Sequence, residues 1–369
     1  MFGGSITLFR VGETHVRLHL TFFLLLAFIA VSGWLRGGPT AAFEGVAFVS
    51  LLFVCVLLHE FGHVLAARRY GIVTREITLL PIGGLASLES MPRKPFQEIV
   101  IALAGPAVNV VIAALLLLLL ALQGGAIDVQ QAAELERSRS GMVMQLAAAN
   151  VMLVLFNLIP AFPMDGGRVL RAVLAIWMGY VPATQLAARV GQGFAVVLGF
   201  IGLFGNPLLV LVAVFVFLAA TSEAGFVRAR ELTRGRLVGD AMITSFASLG
   251  PQSNVGAAAD LLLRTTQHEF PVIDGGGRLR GAVTREAIIG ALQQNREQVP
   301  VLEIMDAGVQ TLPANACLET WFDRMQREGM RFIGVLDGEG RLVGYLTPEN
   351  IAELVMIGTA RAAAVPATA

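Results

Sequence analysis

His59-Glu60-Phe61-Gly62-His63 sets two imidazoles four residues apart, with a carboxylate beside the first. On a helix, residues four apart share a face, so both imidazoles can reach one tetrahedral Zn2+ at about 2.0–2.1 Å. Glu60 then stands where it can take a proton from water activated by the metal. The bland alternative is a pair of interface histidines with Glu60 near a helix end. The surroundings favour the metal, because the pattern lies in an apolar stretch where an ionisable cluster is costly and by default marks function.

A catalytic zinc usually keeps three protein ligands and one open position, so a third ligand must come from elsewhere in the chain. The stretch Asn157-Leu-Ile-Pro160-Ala-Phe-Pro163-Met-Asp165-Gly166-Gly167 offers one. Two prolines near a helix end break the backbone ladder, and in a membrane irregular backbone is tolerated only against protein or a wet cavity. Asp165 follows that break, and Gly166 and Gly167 leave space around it. It is expected at the cytoplasmic end of its helix, at the depth of His59 and His63. The alternative has Asp165 simply ending a helix among Arg168 and Arg171.

These residues need helices to carry them. Of the 369 residues, 55% are hydrophobic and 15% charged, against roughly 25% charged in ordinary soluble domains. No Asp, Glu, Lys or Arg occurs between Ile99 and Leu122, between Gly141 and Met164, or between Val190 and Ser222, and a membrane-spanning helix needs about 20 such residues. A soluble single-core enzyme is excluded. About six transmembrane helices are expected: Leu18–Leu35, Gly45–Ala67, Ile99–Leu122, Gly141–Met164, and two arms of a hairpin turning at Gly205-Asn206-Pro207. Asn109 and Pro106 are read as making packing kinks or interhelical hydrogen bonds, Leu115–Leu120 as plain apolar surface, and Cys55 as a small buried side chain. His15 and His19 are expected at the membrane interface, and His268 at the surface or an interface.

Arg10, Arg17, Arg68, Arg69, Arg75, Arg93, Lys94, Arg168, Arg171, Arg228, Arg230, Arg234 and Arg236 flank the spans on one side. The other side holds Arg36, and then Arg137 and Arg139 beside Glu134 and Glu136. Basic residues mark the cytoplasmic side, so a multi-pass protein with both termini in the cytoplasm is expected. Arg10 and Arg17 ahead of an apolar run resemble a signal peptide, but no small-residue cleavage site follows Trp34 and further spans come next. The balance of 27 basic and 27 acidic residues argues against nucleic acid as a partner. Cys55 and Cys317 give no disulfide framework.

Beyond Arg236 the chain repeats itself at an offset of 63 residues. Ala241-Met242 matches Ile304-Met305, Val272-Ile273-Asp274 matches Val335-Leu336-Asp337, and Gly281–Thr284 matches Gly344–Thr347. Each copy reads as helix, strand, turn, strand and helix, and two such copies pack together because each leaves an apolar face uncovered. The pair resembles tandem cystathionine-β-synthase (CBS) domains, at 238–294 and 300–358. Ahead of it come a membrane domain, 1–222, and a linker, 223–237. The resemblance implies an adenine nucleotide at Thr284 and Thr347. Three residues on, where the family has a ribose-binding acid, stand Ala287 and Asn350, with Glu286 and Glu349 one residue early. Dimerisation or substrate docking through the pair is the competing account.

His59-Glu60-x-x-His63 together with Asn157-x-x-Pro160-x-x-x-x-Asp165-Gly-Gly resembles the site-2 protease family of intramembrane zinc metalloproteases. Pro81-Ile-Gly-Gly84 and Gly105-Pro-Ala-Val-Asn109 are similar to other elements of that family, and the CBS pair is like that of its sporulation-protease branch. The resemblance implies one zinc per chain held by His59, His63 and Asp165, with Glu60 as acid and base. It implies Asn157 as a group that binds substrate backbone or stabilises the oxyanion. The expected activity is cleavage of transmembrane or membrane-tethered proteins near the cytoplasmic side, with an extended substrate segment pairing to backbone near Leu79–Leu88. Proline at Ile82 or Leu85 would block such pairing. The rival is a CBS-regulated ion transporter or channel using the His/Glu/Asp cluster as its path.

Overall fold

The computed structural model describes residues 4–81, 83–88, 94–122 and 139–364. Ile82, Arg93, Glu134, Glu136 and Arg137 lie outside them. The chain forms two compact units, Phe2–Gly225 and Phe226–Ala369.

The first unit opens with strands β1 (Ser5–Val11) and β2 (Thr14–His19), and then the long α1 (Leu20–Arg69). His19 caps α1, its Nδ1 accepting from the backbone N–H of Thr21 at 3.3 Å. α1 breaks at Gly37 and Gly38, followed by Pro39. Gly38 has φ +74°, a left-handed conformation cheap only for glycine, and Pro39 lacks an N–H for the helical ladder. The two arms fold back on each other. Phe22 stacks edge-on against Phe53 at 4.4 Å, and a Cβ on Gly33 would come 2.8 Å from the Ala42 backbone. The two apolar runs at the start of the sequence are these arms.

That hairpin is also the crossover that returns the chain parallel to β2 as β3 (Thr74–Leu80), with β4 (Gly83–Leu88) antiparallel beyond it. The sheet order is β1-β2-β3-β4, so β4 is an edge among the described residues. Leu18, Ile77 and Leu79 of the sheet bury against Phe22, Phe53 and Val64 of α1.

Next come α2 (Pro95–Leu122), α3 (Arg139–Asn157), α4 (Asp165–Met178), α5 (Tyr180–Phe204) and α6 (Pro207–Thr233). α5 and α6 turn at Gly205-Asn206, where the Asn206 side chain accepts from the Leu208 N–H. Both arms therefore run longer than the uncharged stretch alone indicated. α1, α2, α5 and α6 are long and apolar enough to cross a membrane. The fourth expected span is cut short. α3 ends at Asn157, Pro160 and Pro163 prevent its continuation, and Asp165 begins a new helix instead of closing the old one. Arg168 and Arg171 consequently sit inside α4, and Arg171, read from sequence as a flanking charge, is fully buried.

In the second unit each repeat builds a helix and an antiparallel strand pair. The first has α7 (Val255–Arg264), β5 (Glu269–Ile273), β6 (Leu279–Thr284) and α8 (Arg285–Gln293). The second has β7 (Gln310–Pro313), α9 (Leu318–Glu328), β8 (Ile333–Leu336), β9 (Leu342–Leu346) and α10 (Pro348–Ala364). The copies exchange backbone crosswise, Ile243 bridging to Tyr345 and Asp306 to Ala282. Gly281 and Gly344 permit these crossings, since a Cβ on Gly344 would lie 2.7 Å from the Ile243 carbonyl oxygen and one on Gly281 would meet that of Asp306.

Glu269 of β5 is buried, and burial together with nearby Glu349 and Glu286 pushes its carboxyl up to about 7. An acid whose folded value lies above its unfolded one loses stability as pH rises from about 4.5 to about 7, because only the unfolded chain ionises freely in that window. Glu269→Gln should therefore raise the thermal unfolding midpoint at pH 8 and leave it nearly unchanged at pH 4; equal shifts at both would contradict this assignment.

Candidate metal centre

The second arm of α1 carries His59 and His63 one turn apart, both buried, their rings edge to face at 4.7 Å. His63 Nδ1 lies 2.7 Å from the Ile101 carbonyl, and His59 Nδ1 lies 3.0 Å from Asn109 Oδ1. Both partners can accept, so a neutral ring donating from Nδ1 leaves its Nε2 lone pair free for a metal. The two Nε2 atoms are 3.0 Å apart. Asp165 Oδ2 lies 3.3 Å from the first and 3.1 Å from the second, buried and with no other hydrogen-bond partner among the described residues. Three electron-rich atoms this close repel one another unless a cation lies among them. Two imidazoles and a carboxylate, with both rings fixed through Nδ1, form a donor set that suits zinc. Among the described residues no other three His, Cys, Asp or Glu side chains converge in this way, and neighbouring Cys55 is outside the set.

Local backbone makes the convergence possible. Gly166 and Gly167 begin α4 against the loop after α3. A Cβ on Gly166 would collide with the Leu158 and Ile159 carbonyls, and one on Gly167 with Ala161 and Phe162. Asp165 thereby occupies the first turn of α4, where the helix dipole favours a negative charge. On α2, a Cβ at Gly105 would lie 2.7 Å from His59 Nε2. Gly62 of α1 approaches α2 similarly closely, its missing Cβ falling 2.7 Å from the Ala104 carbonyl oxygen.

Glu60 is half-buried and within electrostatic reach of His63, His59 and Asp165. It packs against the edge strand, since a Cβ on Gly84 of β4 would come within 2.8 Å of Glu60 Oε1. Asn157 is not drawn into this set. It ends α3 with its Nδ2 donating to the Leu153 carbonyl at 2.9 Å. Asn109, expected to serve a packing kink or an interhelical hydrogen bond, makes such a bond to His59 of α1, and is buried with its Nδ2 unpartnered among the described residues. The available signal was spacing: Ile101, Gly105 and Asn109 recur every four residues along one face of α2. Thr284 and Thr347 cap α8 and α10, their hydroxyls accepting from the N–H groups of Ala287 and Asn350. Glu286 pairs with Arg331 across the repeats at 2.9 Å.

The sequence matches the family model described as Peptidase family M50 over residues 47–144 and 122–201, and that of the CBS domain over 238–294 and 301–357. It is 34% identical to a zinc metalloprotease of Methanocaldococcus jannaschii over 273 residues, covering 74% of this chain and 76% of that protein. A putative zinc metalloprotease of Synechocystis is 30% identical, over 88% of this chain and 86% of its own. Among solved structures, the site-2 protease from Methanocaldococcus jannaschii is 35% identical, covers 60% of this chain and 95% of its own, and has a TM-score of 0.45.

Losing an outer partner of a metal-bound histidine typically costs 10–100-fold in affinity. Asn109→Ala should weaken zinc binding by about that factor, measured by chelator competition on the purified protein; unchanged affinity would mean that the His59–Asn109 contact does not orient the ring.

Proposed function

This chain belongs to peptidase family M50, the zinc metalloproteases of the site-2 type, and from that premise we propose that it cuts transmembrane or membrane-tethered proteins near the cytoplasmic side of the bilayer. Regulated intramembrane proteolysis is the general activity of such a protein, and a membrane is its setting. The observation that carries the finer reading is the meeting of His59 Nε2, His63 Nε2 and Asp165 Oδ2 beside Glu60. These three side chains would hold one zinc per chain. Zinc supplies Lewis acidity, polarising a peptide carbonyl and making water a nucleophile near neutral pH.

The protein's own groups do the rest. The Glu60 carboxylate takes a proton from the attacking water and returns it to the departing amide nitrogen. Asn157 faces the task of donating to the developing oxyanion, which requires its amide to turn from the Leu153 carbonyl. A substrate helix resists this chemistry because its carbonyls are bonded internally, so it must unwind locally. The edge of β4, unpaired among the described residues and in contact with Glu60 through Gly84, supports pairing with an extended substrate strand as the means.

The arginines ahead of α1, after its second arm and after α6 support cytoplasmic N- and C-termini. Thr284 and Thr347 are the positions for an adenine nucleotide, and the CBS pair for association between copies; titration of the full chain with AMP, ATP and S-adenosylmethionine, read by thermal shift, tests the former.

Co-expression with a candidate tethered substrate tests the central reading. Glu60→Gln should keep zinc and fold while cleavage falls at least about 100-fold. His59→Ala and Asp165→Ala should lose zinc and activity together; a metal-free wild type, or active Glu60→Gln, would refute the assignment. In an edge strand successive N–H groups alternate inward and outward, so of Leu85 and Ala86 one points away from β3. Proline there should slow cleavage and leave the sheet and zinc content intact; equal cleavage by both proline variants would exclude strand pairing.

A further inference from the structure

A second buried set of charges lies beside the cluster and has no part in the chemistry above. Arg171 of α4 is 0% exposed, and Glu98 of α2 is 3% exposed. The Arg171 Nε donates to Glu98 Oε1 at 2.7 Å, and a terminal guanidinium nitrogen pairs with the same carboxylate. The other terminal nitrogen reaches Glu223 of α6 at 2.5 Å. The Phe162 and Tyr180 rings lie 5.1 and 4.9 Å from the guanidinium. Such a triad in an apolar bundle is a poor source of stability, because apolar side chains of similar volume often stabilise as well or better. Fixing one arrangement among alternatives is the better-attested use of a buried ionic group.

The position of the triad says which arrangement. Glu98, Ile101, Gly105 and Asn109 follow one another on a single face of α2, and the last three are the groups that touch His63 and His59. Arg171 stands less than two turns from Asp165 on α4. The ion pair therefore joins the helix that orients both imidazoles to the helix that brings the carboxylate. We propose that Arg171, gripping Glu98 and Glu223, is a positioning residue that fixes the axial register of α4 on α2 and so the separation between Asp165 and the two histidines. Arginine suits the task, since its rigid planar head bridges carboxylates from two helices where a lysine ammonium is a point charge on a flexible stem. The inference rests on reading His59, His63 and Asp165 as zinc ligands.

The test uses the purified full chain in detergent. It measures zinc affinity by chelator competition, unfolding of the zinc-depleted protein, and kcat and KM on a tethered substrate. Arg171→Lys, which keeps the buried charge, should bind zinc about 10–100-fold more weakly and lose kcat at unchanged KM. The apolar replacement Arg171→Met/Glu98→Leu/Glu223→Gln should unfold at or above the wild-type temperature and still bind zinc as weakly. A merely structural role predicts that this stable variant regains wild-type zinc affinity. That result, or wild-type affinity in Arg171→Lys, overturns the proposal, and Arg171→Lys decides alone where the triple variant does not fold. Asp165→Asn serves as the control: wild-type zinc affinity there removes the ligand reading itself, whereas loss there with wild-type affinity in the Arg171 variants removes the positioning role only.

Discussion

Two imidazole lone pairs and a carboxylate oxygen crowd within 3.3 Å of one another in buried surroundings, and the first unit is arranged around keeping them there. Such a group is unfavourable by itself, since buried charge is tolerated only when paired or coordinated to a metal. Each imidazole is held from behind through Nδ1, one by a backbone carbonyl and one by an amide oxygen. The same geometry explains why glycine recurs at the contacts. Gly62, Gly84, Gly105, Gly166 and Gly167 all lie where a single added carbon would strike a helix or loop backbone, a histidine ring or Glu60. Packing between membrane helices relies on such small residues to bring backbones close, and here the close approach sets the distances within the His59, His63 and Asp165 cluster.

Much of this was legible in the sequence because the chemistry is local. His59, Glu60 and His63 share one helix turn and announce themselves by spacing, and Asp165 stands out beyond two prolines. The duplicated tail was legible because repetition needs no knowledge of tertiary structure. The crosswise bridging between its copies was not, since Ile243 and Tyr345 lie far apart in the chain. Arg171 was misread for the same reason, and Asn109 was read for an interhelical hydrogen bond without its partner being known. An asparagine in an apolar helix suggests an interhelical hydrogen bond but not the ring that receives it, and an arginine after a proline-broken span looks like a flanking charge until Glu98 and Glu223 are found around it.

The α3–α4 boundary shows how one local feature reshapes a larger expectation. Reading Gly141–Met164 as a single span treated Pro160 and Pro163 as a frayed helix end. In the structure they instead separate two helices, and Asp165 moves from the C-terminal end of one, where the dipole opposes a carboxylate, to the N-terminal turn of the next, where the dipole favours it. The change of helix leaves the convergence with His59 and His63 intact and makes it electrostatically easier.

The edge strand beside Glu60 follows from the same concern with backbone groups in an apolar medium. A sheet edge carries unpaired N–H and C=O groups, and irregular or open backbone at membrane depth survives only against protein or water. On the proposed reading, β4, at the edge of the described sheet and next to Glu60, would be costly to keep unpaired in the resting protein. A helical substrate meets the complementary problem, since it must release its own internal hydrogen bonds before any carbonyl can be attacked. Under the proposed strand pairing each would carry the groups that the other lacks, and pairing would relieve both costs at once, beside the Glu60 carboxylate.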